Sequence, residues 1–219
     1  MASLSWEEFA DLALRRVKAS GAEYGDIRIQ QSTTEHIQGE DRRIASIRHI
    51  EDSGFGVRVL YHGAWGFAAS SILSLEEVPR VADLAVEIAR GSASIAVKKV
   101  QLADEPVHRD RIVTPVRLHP DTVPLEQKTG LLLNTMEVLH GRSGIVRSTA
   151  EVWWRRDRKR FESTEGSAIE FDLLAANGAI SATALYEGRF ATRSFNTPHL
   201  RKGYELIEEA GLVQRYTPY

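Results

Sequence analysis

The amino-acid sequence predicts an α+β fold, in which a mainly antiparallel sheet is flanked by helices. Apolar residues at helical spacing mark a few short segments, and longer stretches between them alternate apolar and polar residues. Several strand-like stretches follow one another between two helices, which favours antiparallel pairing. The order helix, four strands, helix occurs twice in the 219 residues. A doubly wound parallel fold is not expected, because single strands and single helices do not alternate.

The first half of the chain, residues 1–93, is predicted to form a helix, antiparallel strands and a second helix. Ser5 begins a capping box ahead of the first helix, and Gly21 provides its C-terminal stop. Ser74 begins another capping box, and Gly91 is expected to end the helix that follows it. The strands therefore lie between these two helices.

Residues 52–70 carry a clear hairpin pattern. Two alternating apolar runs flank a turn at His62-Gly63-Ala64, as in a hairpin with one buried face. Glycine weakens a strand unless a bulge or another backbone needs the space. We therefore expect a neighbouring backbone, either part of the fold or a substrate, to approach this hairpin. The glycines inside these strands are Gly54, Gly56 and Gly66.

Residues 94–120 are expected to connect the two halves as an extended linker, because prolines interrupt the pattern there. The second half, residues 121–219, repeats the plan with a helix that closes at Gly141 and a short final helix that stops at Gly211. The Asn177-Gly178 pair is a typical hairpin turn. Four strands are predicted over residues 145–154, 158–163, 168–174 and 179–186, with turns at Asp157, 164–166 and 176–178.

Composition limits the classes of function. The net charge of −2 argues against bulk attraction to nucleic acid or to an anionic membrane. The chain has no cysteine, which excludes disulfides, thiolate zinc sites and cysteine nucleophiles. The first residues lack the pattern of a signal peptide, and no apolar run reaches the roughly 20 residues that span a bilayer. A cytoplasmic location is therefore expected.

Two local groups of residues could carry chemistry, and each has a simpler interpretation. His49 and Glu51 would point to the same face of a strand, but two ligands do not make a metal site, and a solvated turn is favoured. Residues 153–160 combine two tryptophans with five cations, as in a platform for single-stranded nucleic acid. Strand alternation would bury one tryptophan, so a solvated or intersubunit hairpin is favoured. The motifs of known catalytic sites are not found, and no catalytic residue is assigned.

Several stretches together resemble the N-terminal domain of the TldD/PmbA (TldD/TldE) family of zinc metallopeptidases, which were once described as modulators of DNA gyrase. They occur in the family's order and cover nearly the whole chain. The stretches are residues 54–59 (GFGVRV), 63–68 (GAWGFA), 121–128 (DTVPLEQK), 163–166 (STEG) and 202–205 (KGYE).

The resemblance implies a non-catalytic role for this chain. The family holds its catalytic zinc in a C-terminal domain, through an H-E-x-x-x-H helix and a later cysteine, and neither is found in this sequence. We therefore expect no metal ligand here, no peptidase activity from this chain alone, and zinc in a catalytic domain that the chain lacks. The expected role is to handle an unfolded peptide and to assemble a homodimer or heterodimer.

The resemblance also suggests where a peptide would bind. An extended peptide can add to the edge of a sheet, and glycines let the two backbones approach. The candidate substrate-binding residues are Gly54, Gly56, Arg58, Trp65, Gly66, Ser163, Glu165 and Gly166. Two alternatives remain, a non-catalytic partner subunit that resembles TldE and a regulator that binds nucleic acid.

Overall fold

The structure, a computed structural model, describes residues 5–198 and 200–213. Within these residues the chain forms four α-helices, seven β-strands and one 3₁₀ turn at Pro120–Thr122. In chain order they are α1 (Trp6–Ala19), β1 (Tyr24–Glu40), β2 (Arg43–Tyr61), β3 (Ala64–Ser70), α2 (Glu77–Ile95), β4 (Arg109–Val113), α3 (Leu125–His140), β5 (Ile145–Ser163), β6 (Ala168–Tyr186), β7 (Arg189–Asn196) and α4 (Glu205–Ala210). The predicted α+β class is confirmed.

The seven strands form a sheet in the order β3-β2-β1-β5-β6-β4, and β7 also pairs with β6. The pairs β2/β3 and β6/β7 are antiparallel, whereas the short strand β4 lies parallel to β6. Strand β3 is therefore at one edge of the sheet and β4 is at the other. No helix in the described residues is long and apolar enough to cross a membrane.

The chain divides into two compact units that are interleaved along the sequence. Unit 1 comprises Met1–Ser32, Asp52–Val113 and Asp157–Asp172, and unit 2 comprises Thr33–Glu51, Thr114–Arg156 and Leu173–Tyr219. The division predicted from the sequence follows the order of elements along the chain, whereas each compact unit draws on three separate segments.

The core of unit 1 lies between the two helices α1 and α2 and one face of its strands. Phe9 and Val17 of α1 and Val81 of α2 are fully buried in it. The strands contribute residues at every second position, including Val57 and Val59 of β2. This is the alternation expected of a sheet that is covered on one face.

The core of unit 2 has its own helices and strands. Leu132 and Met136 of α3 and Ile207 of α4 are buried together with Ile37 of β1 and Trp154 of β5. Trp154 is fully buried, so the prediction that one tryptophan of the 153–160 run is buried is confirmed.

Several local predictions are confirmed. The Ser5 hydroxyl accepts a hydrogen bond from the Glu8 amide at the start of α1, at 3.4 Å. The hairpin turn consists of His62 and Gly63, which have φ angles of 46° and 77°. Positive φ at both positions is the geometry of a two-residue type I′ turn, whose twist matches that of the strands. Helix α4 ends at Gly211, which is left-handed with φ of 57°.

Other predicted boundaries are wrong. Residues 24–70 and residues 145–196 each form three strands where four were predicted. In the first half β2 runs without a break from Arg43 to Tyr61, and in the second half β5 continues through Asp157 and β6 continues through Asn177 and Gly178. The side-chain amide of Asn177 donates to the backbone oxygen of Thr197, at 2.8 Å. This tertiary hydrogen bond holds the asparagine inside strand β6. Helix α2 continues past Gly91 and ends at Ile95, because the next residue, Ala96, has an extended backbone conformation.

Candidate functional site

The hairpin of β2 and β3 exposes one backbone edge. Tyr61 pairs with Ala64 across a two-residue turn, so these two residues form the hydrogen-bonded pair next to the turn. Alternate residues of β3 therefore direct their backbone N–H and C=O groups toward β2. The residues between them direct these backbone groups away from β2, and they are Trp65, Phe67 and Ala69. Because β3 ends the strand order, a further strand can pair with these groups.

Gly66 lets helix α2 approach the sheet. A Cβ atom on Gly66 would lie 2.1 Å from the backbone oxygen of Ala85 and 2.4 Å from the backbone nitrogen of Ala89. Neither atom can move without moving the helix. The structure therefore gives this glycine a packing role, and its binding of a substrate stays a prediction.

Gly54 and Gly56 lie on the face of the hairpin that the helices leave uncovered. A Cβ on Gly56 would lie 2.8 Å from the ring of Phe67, so this ring covers the glycine. A Cβ on Gly54 would lie 2.9 Å from the backbone oxygen of Ser70. Phe67 is 59% exposed, which leaves an aromatic side chain beside the free edge.

Arg58 is held by a buried carboxylate on the same uncovered face. Asp26 is 1% exposed, and its Oδ2 atom accepts from Arg58 Nε at 2.8 Å and lies 2.6 Å from Arg58 NH2. The guanidinium lies 4.5 Å from the ring centroid of Trp65, at cation–π distance. Trp65 in turn meets Tyr24 edge-to-face at 5.9 Å. These four side chains form one ordered cluster, which we call the Arg58 cluster.

The Arg58 cluster shifts the protonation of its members. Burial and the neighbouring Asp26 carboxylate raise the pKa of Tyr24 to about 12. Burial acts to lower the pKa of Arg58, but the hydrogen bond and charge of Asp26 outweigh it and raise that pKa. Both groups therefore keep one protonation state near neutral pH, so the cluster supplies a fixed shape and charge. Neither Tyr24 nor Arg58 is therefore poised to transfer a proton near neutral pH.

Of the predicted residues, Ser163 ends β5, and Glu165 and Gly166 lie in the turn between β5 and β6, which belongs to the same unit as the hairpin. The turn is fixed to β1, because Gly25 donates to the Thr164 hydroxyl at 3.0 Å and accepts from the Thr164 amide at 2.8 Å. Gly166 has φ of 100°, which only glycine adopts readily. Glu165 is exposed, whereas Ser163 is 5% exposed.

Two ion pairs with a buried member, Asp26–Arg58 and Glu35–Lys128, were not predicted from the sequence. Asp26 occupies a polar position in the alternation of β1, beside Ile27, so its burial gives no signal in the sequence. In unit 2, Glu35 Oε1 accepts from Lys128 Nζ at 2.6 Å and from Trp154 Nε1 at 2.8 Å. Lys128 is 3% exposed, although its neighbours in the sequence suggested an ordinary helix start.

His49 and Glu51 form the histidine–carboxylate pair that the sequence pointed to. His49 Nε2 lies 3.4 Å from Glu51 Oε1, and both side chains are exposed. Residues 5–198 and 200–213 contain no group of three or more His, Cys, Asp or Glu side chains that could hold a metal ion. The site described here is therefore a surface with ordered aromatic and basic groups.

Comparisons with known proteins agree with this architecture. Residues 25–89 match the family model described as PmbA/TldA metallopeptidase domain 1. The chain is 29% identical over 153 residues to Metalloprotease MJ0996 of Methanocaldococcus jannaschii and 29% identical over 150 residues to a metalloprotease of Methanothermobacter thermautotrophicus. These matches cover 69% and 68% of this chain. The chain spans about a third of the length of these curated relatives, 33% and 31%.

Solved structures show the same fold at low identity. A candidate modulator of a DNA gyrase from Thermotoga maritima aligns over 97% of this chain and 46% of its own, with a TM-score of 0.75 and 14% identity. TldE from Thermococcus kodakarensis aligns over 94% of this chain and 46% of its own, with a TM-score of 0.65 and 12% identity. The family match includes three of the four residues of the Arg58 cluster, Asp26, Arg58 and Trp65, and the whole hairpin. Residues 25–89 therefore match domain 1 of the PmbA/TldA metallopeptidases, which confirms the resemblance found in the sequence.

Proposed function

We propose that this chain is the substrate-handling domain of a PmbA/TldD-type metallopeptidase, and that it holds an unfolded peptide along the free edge of β3. The observation that carries the proposal is the position of β3, a seven-residue strand at the end of the strand order, which among the described strands pairs with β2 alone. An extended peptide satisfies its own backbone by pairing with such an edge. The proposed contacts are backbone hydrogen bonds to Trp65, Phe67 and Ala69.

Side chains next to this edge suit a peptide with apolar residues. Phe67 is exposed beside the edge, and Trp65 is partly buried under Arg58. A peptide strand places alternate side chains on each face of the sheet, so every second residue would meet these two rings. Because the Asp26 carboxylate fixes Arg58, the ring of Trp65 stays in place when a peptide arrives. This pre-organisation lowers the entropy cost of binding.

The catalytic groups are proposed to lie on another domain or subunit. The zinc-binding helix and cysteine that the resemblance implies are not found in this sequence. The chain would then work in a homodimer or heterodimer, in the cytoplasm, either joined to a catalytic domain or as a partner that resembles TldE. If the purified chain alone cleaved an unfolded polypeptide in a chelator-sensitive manner, this part of the proposal would be refuted.

The edge can be tested with a single substitution. Ala69→Pro removes one outward amide and introduces a ring that blocks pairing, whereas Ala69→Val keeps the amide and favours a strand. The probe is fluorescein-labelled β-casein, an unfolded polypeptide, and the measurement is fluorescence anisotropy. We expect the proline variant to bind about tenfold more weakly, as for the loss of roughly 1.4 kcal/mol, and the valine variant to bind like the original chain.

Two further measurements make the result decisive. Urea unfolding of both variants shows whether the proline variant remains folded. A probe peptide with alternate amides N-methylated should lose binding to the original chain, because its pairing edge is blocked. Equal affinity of the Ala69→Pro variant and the original chain for β-casein would refute binding at this edge. Salt-dependent binding of single-stranded oligonucleotide in place of casein would favour the nucleic-acid alternative.

A further inference from the structure

A second candidate binding site lies in unit 1 beside the first turns of α1, over strands β4, β5 and β6. It is a cavity of about 480 Å³, within the range of roughly 300–1,000 Å³ that small-molecule sites occupy. We call it the α1 groove. Its lining includes Trp6, Arg111, Arg158, Lys159, Glu170 and Phe171.

One cation at the floor of the α1 groove is already neutralised. Arg160 donates through Nε to Glu162 and through NH1 to Glu170, and its side chain is 13% exposed. Burial, together with nearby acidic groups, raises the pKa of Glu162, although the Arg160 hydrogen bond opposes this shift. Arg160 therefore has a structural role, and it orders Glu170 at the wall of the groove.

Other cations of the groove have no comparable carboxylate partner within unit 1. The Arg158 guanidinium lies 5.1 Å from the ring centroid of Trp6, at cation–π distance. Among the ion pairs described inside this unit, none uses Arg158 or Lys159. Arg111 is 73% exposed and lies 3.7 Å from Glu170, at the long end of ion-pair distances.

The balance of charge indicates the kind of ligand. With the Arg160–Glu170 pair set aside, three basic residues, Arg111, Arg158 and Lys159, and two acidic ones, Glu7 and Asp172, line the groove, which leaves one positive charge in excess. A monoanion would neutralise this excess, whereas a dianionic phosphate would also be repelled by the two carboxylates. Guanidinium groups bind carboxylates through two parallel hydrogen bonds.

The walls of the groove are partly aromatic. Trp6 and Phe171 both line it, so an apolar group can pack beside the anion. We propose that the α1 groove binds a carboxylate that is joined to an apolar group, with Arg158 and Arg111 as the anion-binding residues. The C-terminus of a peptide and a free organic acid share this chemistry.

This site is separate from the proposed peptide edge. Strand β3 lies at one end of the strand order, whereas β4, which contributes Arg111, lies at the other. The two sites can therefore fail independently. The Ala69→Pro variant should bind carboxylate probes as the original chain does, and a variant at Arg158 should keep the backbone pairing at β3.

The test uses calorimetric titration of the full chain with three matched probes. N-acetylphenylalanine carries the free carboxylate, N-acetylphenylalaninamide lacks it, and phenyl phosphate carries a dianion. We expect the carboxylate to bind at least tenfold more tightly than the amide, and more tightly than phenyl phosphate. A peptide probe, acetyl-Ala-Ala-Phe, separates the sources, because tighter binding of the peptide identifies a peptide C-terminus and equal binding identifies a free acid.

Variants link the binding to the groove. Arg158→Gln should weaken binding of N-acetylphenylalanine about tenfold, and Arg158→Lys should restore it only in part, because lysine lacks the planar fork. Lys98→Gln is the control, since Lys98 is exposed and the substitution removes the same charge from the protein. Equal binding of the carboxylate and the amide, tighter binding of phenyl phosphate, or an equal effect of Lys98→Gln would each overturn the proposal.

Discussion

The close contact between Gly66 and helix α2 can be tested by the substitution Gly66→Ala. The added Cβ would lie 2.1 Å from the backbone oxygen of Ala85, 2.4 Å from the backbone nitrogen of Ala89 and 2.8 Å from its Cβ. Relief requires that α2 move away from the sheet, because none of these atoms belongs to a flexible side chain.

The expected loss of stability follows from two opposing effects. Overpacking of a core costs about 1–3 kcal/mol, and a contact with helix backbone belongs at the upper end of that range. Replacing glycine also removes conformational freedom from the unfolded chain, which returns about 0.4–1 kcal/mol. The net destabilisation of Gly66→Ala should therefore be about 2 kcal/mol.

Urea unfolding followed by circular dichroism measures this change. A loss of about 2 kcal/mol at an unchanged slope lowers the urea midpoint by about 1 M. The matched control is Gly91→Ala in α2, where the new Cβ meets no atom within 4 Å, and we expect a gain of about 0.5–1 kcal/mol. If Gly66→Ala unfolds at the original midpoint but loses binding to β-casein, the packing argument is wrong and the glycine serves the substrate.

Three further predictions concern buried polar groups. Arg58→Ala should destabilise the chain by about 3 kcal/mol in the same urea assay, because the Asp26 carboxylate stays buried without its partner. The double variant with Asp26→Asn should recover part of this loss. Additive losses from the two substitutions would argue against the ion pair. Tyr24 should ionise near pH 12 in the folded protein, so its contribution to stability is complete below pH 10 and is lost as the pH rises toward 12. The ultraviolet titration of the Tyr24→Phe variant should therefore lack one tyrosine that ionises at high pH. If the variant instead lacks a tyrosine that titrates near pH 10, the assignment is contradicted. Asn177→Ala should cost about 1–3 kcal/mol in urea unfolding, since the backbone oxygen of Thr197 loses its donor inside the core, and a neutral result would show that Asn177 is not buried as described.

Short-range signals in the sequence determined the helices and the first hairpin. Ser5 and Gly21 mark the two ends of α1, and His62-Gly63 forms the predicted turn. These features depend on capping and on backbone conformations that a few adjacent residues control. The family resemblance was also available from the sequence, because residues 54–59 and 63–68 are short contiguous stretches.

Two of the turns predicted in the second half, at Asp157 and at residues 176–178, lie inside strands β5 and β6 in the structure. Asn177-Gly178 favours a turn by itself, yet Thr197 supplies partners to both residues and a Cβ on Gly178 would lie 3.2 Å from Leu212. Pairing with residues about 20 positions away thus outweighed the local preference. The same reason explains why β5 and β6 were predicted as pairs of short strands.

One part of the candidate site could be predicted from the sequence, and the other part required the tertiary structure. The sequence alone identified a hairpin with unusual glycines and an arginine between its apolar residues. Only the tertiary structure showed that Gly66 faces helix α2, that Asp26 fixes Arg58, and that Trp6 and Arg158 meet beside a cavity. Local sequence sets the conformation of a segment, but contacts between residues far apart in the chain depend on how the strands pair and on which faces the helices cover.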